Sequence, residues 1–95
     1  MGTGIGEKIK ELRKEQKLTM EMFVIDFNTR FVAELERPLN KSMVSRWESG
    51  ENEPTLDNAK FLSMYYNVSL DYLIGLTDTR TPSRLLSYKR KGEKL

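Results

Sequence analysis

The residues of this chain whose types and spacing could do chemistry lie in the segment LNKSMVSRWESG, from Leu39 to Gly50. Lys41 and Arg46 are hydrogen-bond donors, serines lie beside them, and a single Trp lies among the apolar positions. Asn40 can cap a helix that begins at Lys41, and Gly50 can end that helix in the left-handed conformation. Such a helix is either an ordinary solvated surface or an element that is inserted into a partner.

The composition argues against catalytic and metal-binding chemistry. The 95 residues include no Cys and no His, which removes disulfides, thiolate metal sites and the commonest general base. The sequence also has no Gly-rich phosphate-binding loop. We therefore expect no enzyme, no cofactor and no metal site.

Length and hydropathy predict one small all-α domain. A hydrophobic content of 38% in 95 residues supplies a single core. No apolar run approaches the ~20 residues of a membrane span, and the start MGTGIGEKIK lacks the apolar centre of a signal peptide. We expect a cytoplasmic protein with no membrane partner.

Charge is unevenly distributed along the chain. Met1–Leu18 carries five Lys and Arg against three Glu, Thr19–Asp78 carries five against ten acidic residues, and Thr79–Leu95 carries six against one. The net charge is only +2. A strongly anionic partner would therefore require a localised basic face.

Apolar residues at helical spacing predict five helices joined by short loops. The predicted helices are Gly4 to about Lys17, a helix from Met20 capped by Thr19, Lys41 to about Ser49, a helix capped by Thr55 to Tyr66, and a short helix capped by Ser69 through Ile74. We expect residues 1–77 to form the domain and residues 78–95 to form a basic tail.

The extent of the second helix is open at this stage. Phe23, Phe27, Phe31 and Leu35 lie four residues apart, and this series favours an elongated helix that ends before Pro38. The alternative is a helix that ends near Asn28 and is followed by a packed loop or an extra short helix.

Three segments, IGEKIKELRKEQKLT, SMVSRWESGENEPT and NVSLDYLIG, resemble in this order the Cro/C1-type (XRE-like) helix-turn-helix family of phage and bacterial repressors. The resemblance covers Ile5 to Gly75. It implies a five-helix lambda-repressor-like domain. Relative to most members, this chain has an insertion of about ten residues between helices 2 and 3, as in phage or prophage repressors with a lengthened second helix region.

The resemblance identifies the third helix as a recognition helix that lies in the major groove of DNA. It implies that Asn40 approaches a phosphate, that Lys41, Ser42 and Arg46 face the bases, and that Met43 and Ser45 lie at the edge of the contact. The chemistry is suitable because Lys and Arg can donate to guanine and a Met can touch a thymine methyl group. The alternative for Lys41 and Arg46 is a solvated helix face.

The start of the second helix departs from the family pattern. Relatives often carry a Gln at the position of Met20, and Met cannot donate that hydrogen bond. Phosphate anchoring would then fall to Thr19 and the free amides beside it, or to Arg30 and Arg37.

The resemblance also implies structural roles. Val44 and Trp47 should be buried, and Arg13 and Glu48 should form a partly buried ion pair. Phe61, Met64 and Tyr65 of helix 4 are candidate partners for the apolar surface of the insertion. We favour this intramolecular packing over a dimer patch.

The function implied by the resemblance is sequence-specific DNA binding by a homodimeric transcriptional repressor on an inverted-repeat operator. The dimer contact, or alternatively plain core, would be Leu70, Leu73, Ile74 and Leu76. A second possibility is an antitoxin or protein-interaction module that binds a protein partner. The tail from Arg84 to Leu95 is either a solubilising end or a source of phosphate contacts, with Leu85, Leu86 and Tyr88 as a short docked turn.

Overall fold

A computed structural model describes residues 4–81 of the chain. Its helices are α1 (Ile5–Glu15), α2 (Met20–Arg30), α3 (Lys41–Ser49), α4 (Leu56–Tyr66) and α5 (Leu70–Leu73). There is no strand in this part of the chain. The predicted five-helix, all-α fold is confirmed, and none of these helices is both long and apolar enough to cross a bilayer.

Side-chain caps set where the helices begin. The four expected N-cap residues each accept a hydrogen bond from the amide three positions ahead, at 2.9–3.1 Å, and they are Thr19, Asn40, Thr55 and Ser69. Gly50 ends α3 with φ 85° and Asn67 ends α4 with φ 56°, both in the left-handed region. These local signals account for the close agreement between the predicted and observed bounds of α3, α4 and α5.

The second helix ends at Arg30, so the elongated helix that we favoured is wrong and the shorter alternative is right. Both backbone polar groups of Leu39 are hydrogen-bonded to the side chain of Asn28. A helix continued to Arg37 would carry that residue about 14 Å beyond Asn28 at 1.5 Å per residue. Two further residues span at most about 7 Å, so Leu39 could not return to Asn28.

The aromatic residues of α2 pack against α4. Phe27 lies 5.6 Å from Tyr65 and Phe31 lies 5.1 Å from Phe61, measured between ring centroids. Met64 remains 36% exposed and does not join this cluster. The expected intramolecular packing is thus present for two of the three α4 residues, and each buried ring contributes about 2–3 kcal/mol.

The third helix is packed on α1 through its apolar side. Val44 and Trp47 are buried, as expected. Gly6 of α1 lies against the backbone carbonyl of Trp47, where a larger residue would not fit. The opposite side of α3 is therefore turned outward.

The folded region continues beyond Thr77, the expected end of the domain. The backbone amide of Ser69 donates to the carbonyl of Arg80 at 2.9 Å, and the Ser69 hydroxyl donates to the carbonyl of Thr79 at 3.2 Å. Arg80 also forms two hydrogen bonds to the carboxylate of Glu15, at 2.8 and 3.0 Å. The predictions for the tail from residue 82 onward lie outside the described residues.

The apolar residues around α5 divide into two groups. Leu73 is fully buried and Leu70 packs partly buried against the core. Ile74 and Leu76 are 47% and 73% exposed. The core interpretation therefore fits the first two residues, and the last two form an exposed apolar surface.

Candidate nucleic-acid interface

The outward side of α3 is polar. Lys41, Ser42 and Ser45 are exposed, and Arg46 is half-buried. The connection between α2 and α3 does not cover the exposed residues, and its apolar side chains Phe31, Leu35 and Leu39 pack against the core. The hydrogen-bond donors expected on one face of α3 thus lie together and are accessible.

Asn40 organises the beginning of α3. Its side-chain oxygen accepts from the amide of Met43 at 2.9 Å, and its backbone is extended at φ −131° and ψ 168°. The amides of Lys41 and Ser42 precede the first intrahelical hydrogen bonds, and such amides at a helix start favour an anion. Met43 is half-buried and packs against the core, so it lies at the edge of the polar surface.

Arg46 has an orienting neighbour that the sequence did not indicate. The backbone amide of Asn52 donates to the carbonyl of Arg46 at 3.2 Å. With the side-chain amide oriented so that its oxygen faces a donor, Asn52 also accepts from Nε of Arg46 at 3.2 Å. This contact leaves the two terminal nitrogens of the guanidinium to meet a ligand.

The start of α2 offers fewer polar groups to a ligand than α3 does. Thr19 is exposed, and its hydroxyl accepts from the amide of Met22 at 3.0 Å. Met20 is half-buried and packs against the core. Thr19 therefore presents a capped helix start, whereas Met20 contributes apolar packing.

The two arginines that we considered for phosphate anchoring differ in their surroundings. The guanidinium carbon of Arg30 lies 5.5 Å from the Phe31 ring centre and 5.6 Å from that of Tyr65. This cation–π geometry holds Arg30 against the α2–α4 aromatic cluster. Arg37 is exposed in the connection and is the better placed of the two for an external anion.

Arg13 and Glu48 join α1 to α3. Nε of Arg13 lies 2.7 Å from Oε2 of Glu48, and Nη2 donates to Oε1 at 2.9 Å. The two side chains are only 11% and 4% exposed. Nη1 of Arg13 donates to the carbonyl of Leu18 at 2.8 Å. The hydrogen bond to Glu48 raises the pKa of Arg13 despite the opposing effect of burial.

Positive charge does not predominate in the described part of the chain. Of the 16 Lys and Arg residues, 11 lie in residues 4–81 with 13 of the 14 acidic residues, and five lie in residues 82–95 with one. The loop after α3 adds two exposed carboxylates, Glu51 and Glu53. Lys41 and Arg46 are thus the positive charges that α3 itself carries, within a part of the chain whose total charge is acidic.

Asn28 has a structural role that the sequence did not predict. Its side-chain nitrogen donates to the carbonyl of Leu39 at 2.9 Å, and its oxygen accepts from the amide of Leu39 at 2.8 Å. The one available signal was an amide side chain directly after a buried Phe of an otherwise apolar helix face.

Comparison with known proteins gives consistent matches. The helix-turn-helix family model matches residues 34–73. The chain is 33% identical over 76 residues to YobD of Bacillus subtilis, described as an uncharacterized HTH-type transcriptional regulator, with 80% of this chain and 59% of YobD covered. It is 29% identical over 68 residues to the HTH-type transcriptional activator BcrR of Enterococcus faecalis, with 72% of this chain and 28% of BcrR covered. Comparison with solved structures found no significant match.

The matched segment contains α3, α4 and α5, whereas α1 and the whole of α2 lie outside it. The chain spans 59% of the length of YobD and less than a third of BcrR. The five helices and the outward polar side of α3 are what these sequence matches lead one to expect. The chain therefore carries a helix-turn-helix domain of the Cro/C1 type.

Proposed function

We propose that this protein is a sequence-specific DNA-binding transcriptional regulator in which α3 enters the major groove. The observation that carries the proposal is the uncovered polar side of α3, where Lys41, Ser42 and Ser45 are exposed beside Arg46. Helices of this width fit the major groove, where base edges offer acceptors for Lys and Arg.

In the proposed complex, the contacts separate into two classes. Lys41, Ser42 and Arg46 read base edges, with Met43 and Ser45 at the rim. Asn40 and Thr19 approach the phosphates through helix starts, where free amides favour anions. Met20 lies beside this phosphate contact and adds no donor.

The proposed active form is a homodimer on an inverted repeat. A two-fold axis would place two α3 helices about 34 Å apart, one turn of DNA. The exposed side chains of Ile74 and Leu76 support a contact between copies after α5. Such a dimer would repress transcription by occupying the operator.

The test is a selection from random DNA duplexes, followed by titration of the selected duplex and of a scrambled duplex. We expect log affinity to fall with log salt at a slope near −0.9 for each neutralised phosphate. Arg46→Ala should weaken binding to the selected duplex by about 1–3 kcal/mol and relax the sequence preference at one base pair. An equal loss on both duplexes would reduce Arg46 to a phosphate contact.

Lys60→Ala is the matched control for charge. Lys60 lies on α4 with its Nζ 5.7 Å from the ring centre of Phe61, in the aromatic cluster rather than beside α3. Its replacement removes the same single charge and should leave the ratio of the two affinities unchanged.

A protein partner is the second candidate, which would make this an antitoxin or protein-interaction module. It is favoured by the exposed side chains of Met22 and Ile25, which are 50% and 64% accessible on the outer side of α2. The acidic total of residues 4–81 also suits a partner other than DNA. Failure to select any duplex, with no salt-dependent DNA binding, would favour this candidate.

A further inference from the structure

The connection between α2 and α3, residues 31–40, is most deeply buried at its ends. Phe31 and Leu39 are 5% and 3% exposed, whereas between them Leu35 packs half-buried against the core and Val32 is 75% exposed. The amides of Glu34 and Leu35 both donate to the carbonyl of Phe31, forming a single turn. This connection is longer than the usual link between neighbouring helices, so its far end needs a separate anchor.

Asn28 supplies that anchor. Its amide pairs with both the carbonyl and the amide of Leu39, at 2.9 and 2.8 Å, across 11 positions of sequence. Leu39 lies in neither a helix nor a strand, so these two bonds satisfy backbone groups that no secondary structure satisfies.

The chemistry of this contact selects Asn. A planar amide carries one acceptor and one donor side by side, which matches the two polar groups of a single extended residue. Asp lacks the donor, and Leu of similar size lacks both groups. Replacing Asn28 with an apolar residue therefore removes the contact without introducing a charge.

We propose that Asn28 is a positioning residue for the recognition helix and thereby a determinant of sequence specificity. The inference rests on the proposed DNA-binding function. Leu39 directly precedes Asn40, whose side chain caps α3, so the Asn28 contact fixes the first turn that carries Lys41 and Ser42. Arg13 and Glu48 hold the other end of α3 to α1.

The Asn28–Leu39 contact and the Arg13–Glu48 pair hold opposite ends of α3 and so affect DNA binding differently. Loss of the Asn28 contact lets the N-terminal turn of α3 shift while its C-terminal turn stays packed. Base contacts require donors in a fixed geometry, whereas phosphate contacts tolerate displacement. Specific binding is thus affected more than nonspecific binding.

The experiment compares Asn28→Leu and Asn28→Ala with the wild type and with the control Thr29→Ala. Thr29 is the next residue of α2, and its hydroxyl donates to the carbonyl of Ile25 within the same helix. Each protein is titrated with the duplex selected by the wild type and with a scrambled duplex of the same composition.

Both Asn28 variants should bind the selected duplex about tenfold more weakly, corresponding to the loss of a net hydrogen-bond contribution. Affinity for the scrambled duplex and its salt slope should stay unchanged. Thr29→Ala should keep the wild-type ratio. An unchanged ratio in the Asn28 variants, or an equal loss on both duplexes, would overturn the positioning role.

A second readout uses the protein without DNA. Amide hydrogen exchange in the Asn28 variants should accelerate at Leu39, Met43 and Val44, while the amide of Leu62 in α4 keeps its protection. Unchanged exchange at the start of α3 would overturn the proposal whatever the DNA result. If the wild type selects no duplex, the proposed function fails, and the exchange measurement alone decides whether Asn28 holds α3.

Discussion

Gly6 of α1 lies directly against the backbone carbonyl of Trp47 in α3 and leaves no space for a Cβ atom. The obstructing atoms are main chain, which cannot rotate away as the end of a flexible side chain can. The contact lies on the buried side of α3, opposite the exposed Lys41. Gly6 therefore sets how closely the two helices approach.

Gly6→Ala should destabilise the protein by about 1–3 kcal/mol or more, because the added methyl group must displace α3 as a whole. The measurement is the midpoint of urea unfolding followed by circular dichroism. Gly4→Ala is the matched control, since a Cβ at Gly4 meets nothing within 4 Å and the change weakens only an N-cap. Equal midpoints for the two variants would show that the helices separate without cost.

Glu48→Gln should lower the free energy of unfolding by about 3–5 kcal/mol, because it leaves the guanidinium of Arg13 buried without its counter-charge. Chemical denaturation at neutral pH measures this loss. Glu15→Gln is the comparison, as it breaks the exposed pair with Arg80, whose side chains are 46% and 43% accessible. Solvent screens that pair, so its loss should leave the midpoint nearly unchanged. Equal losses of unfolding free energy in the two variants would contradict the burial of the Arg13–Glu48 pair.

Local chemistry made the helix starts predictable. Thr19, Asn40, Thr55 and Ser69 cap the residues that follow them, and such contacts span only three positions. The polar side of α3 was predicted through the family resemblance, which implied that Val44 and Trp47 are buried and that Lys41 and Arg46 face a partner. The sequence thus predicted which surface of α3 faces outward.

The end of α2 was not predictable in this way. The series Phe23, Phe27, Phe31 and Leu35 reports which side of a helix would be apolar, but it does not report where the helix stops. The stop depends on a contact between Asn28 and Leu39, which local sequence does not encode. The Asn52 contact to Arg46 was missed for the same reason, because an Asn in a loop has many possible partners.

Tyr66 carries a buried hydroxyl that has no hydrogen-bond partner among the described residues. Its ring stacks on Phe23 with centroids 5.9 Å apart. Tyr66→Phe keeps this ring and removes the unsatisfied group, so stability at neutral pH should be unchanged or higher by about 1 kcal/mol. Tyr65→Phe is the control, because the Tyr65 hydroxyl donates to Asp26 at 2.7 Å and its loss should cost about 1 kcal/mol.

The same two tyrosines predict a loss of stability in alkali. Burial raises the pKa of Tyr66, and burial together with the hydrogen bond to Asp26 raises that of Tyr65. In the unfolded chain both phenols ionise near pH 10, whereas the folded protein keeps both protons. The unfolded state therefore binds fewer protons above about pH 10, and the free energy of unfolding falls as pH rises further. Tyr66→Phe removes one of the two titrating groups, so its free energy of unfolding should fall less steeply with pH, as measured by urea unfolding between pH 9 and 11. If the free energy of unfolding falls with pH as steeply as in the wild type, Tyr66 ionises as readily in the folded protein as in water.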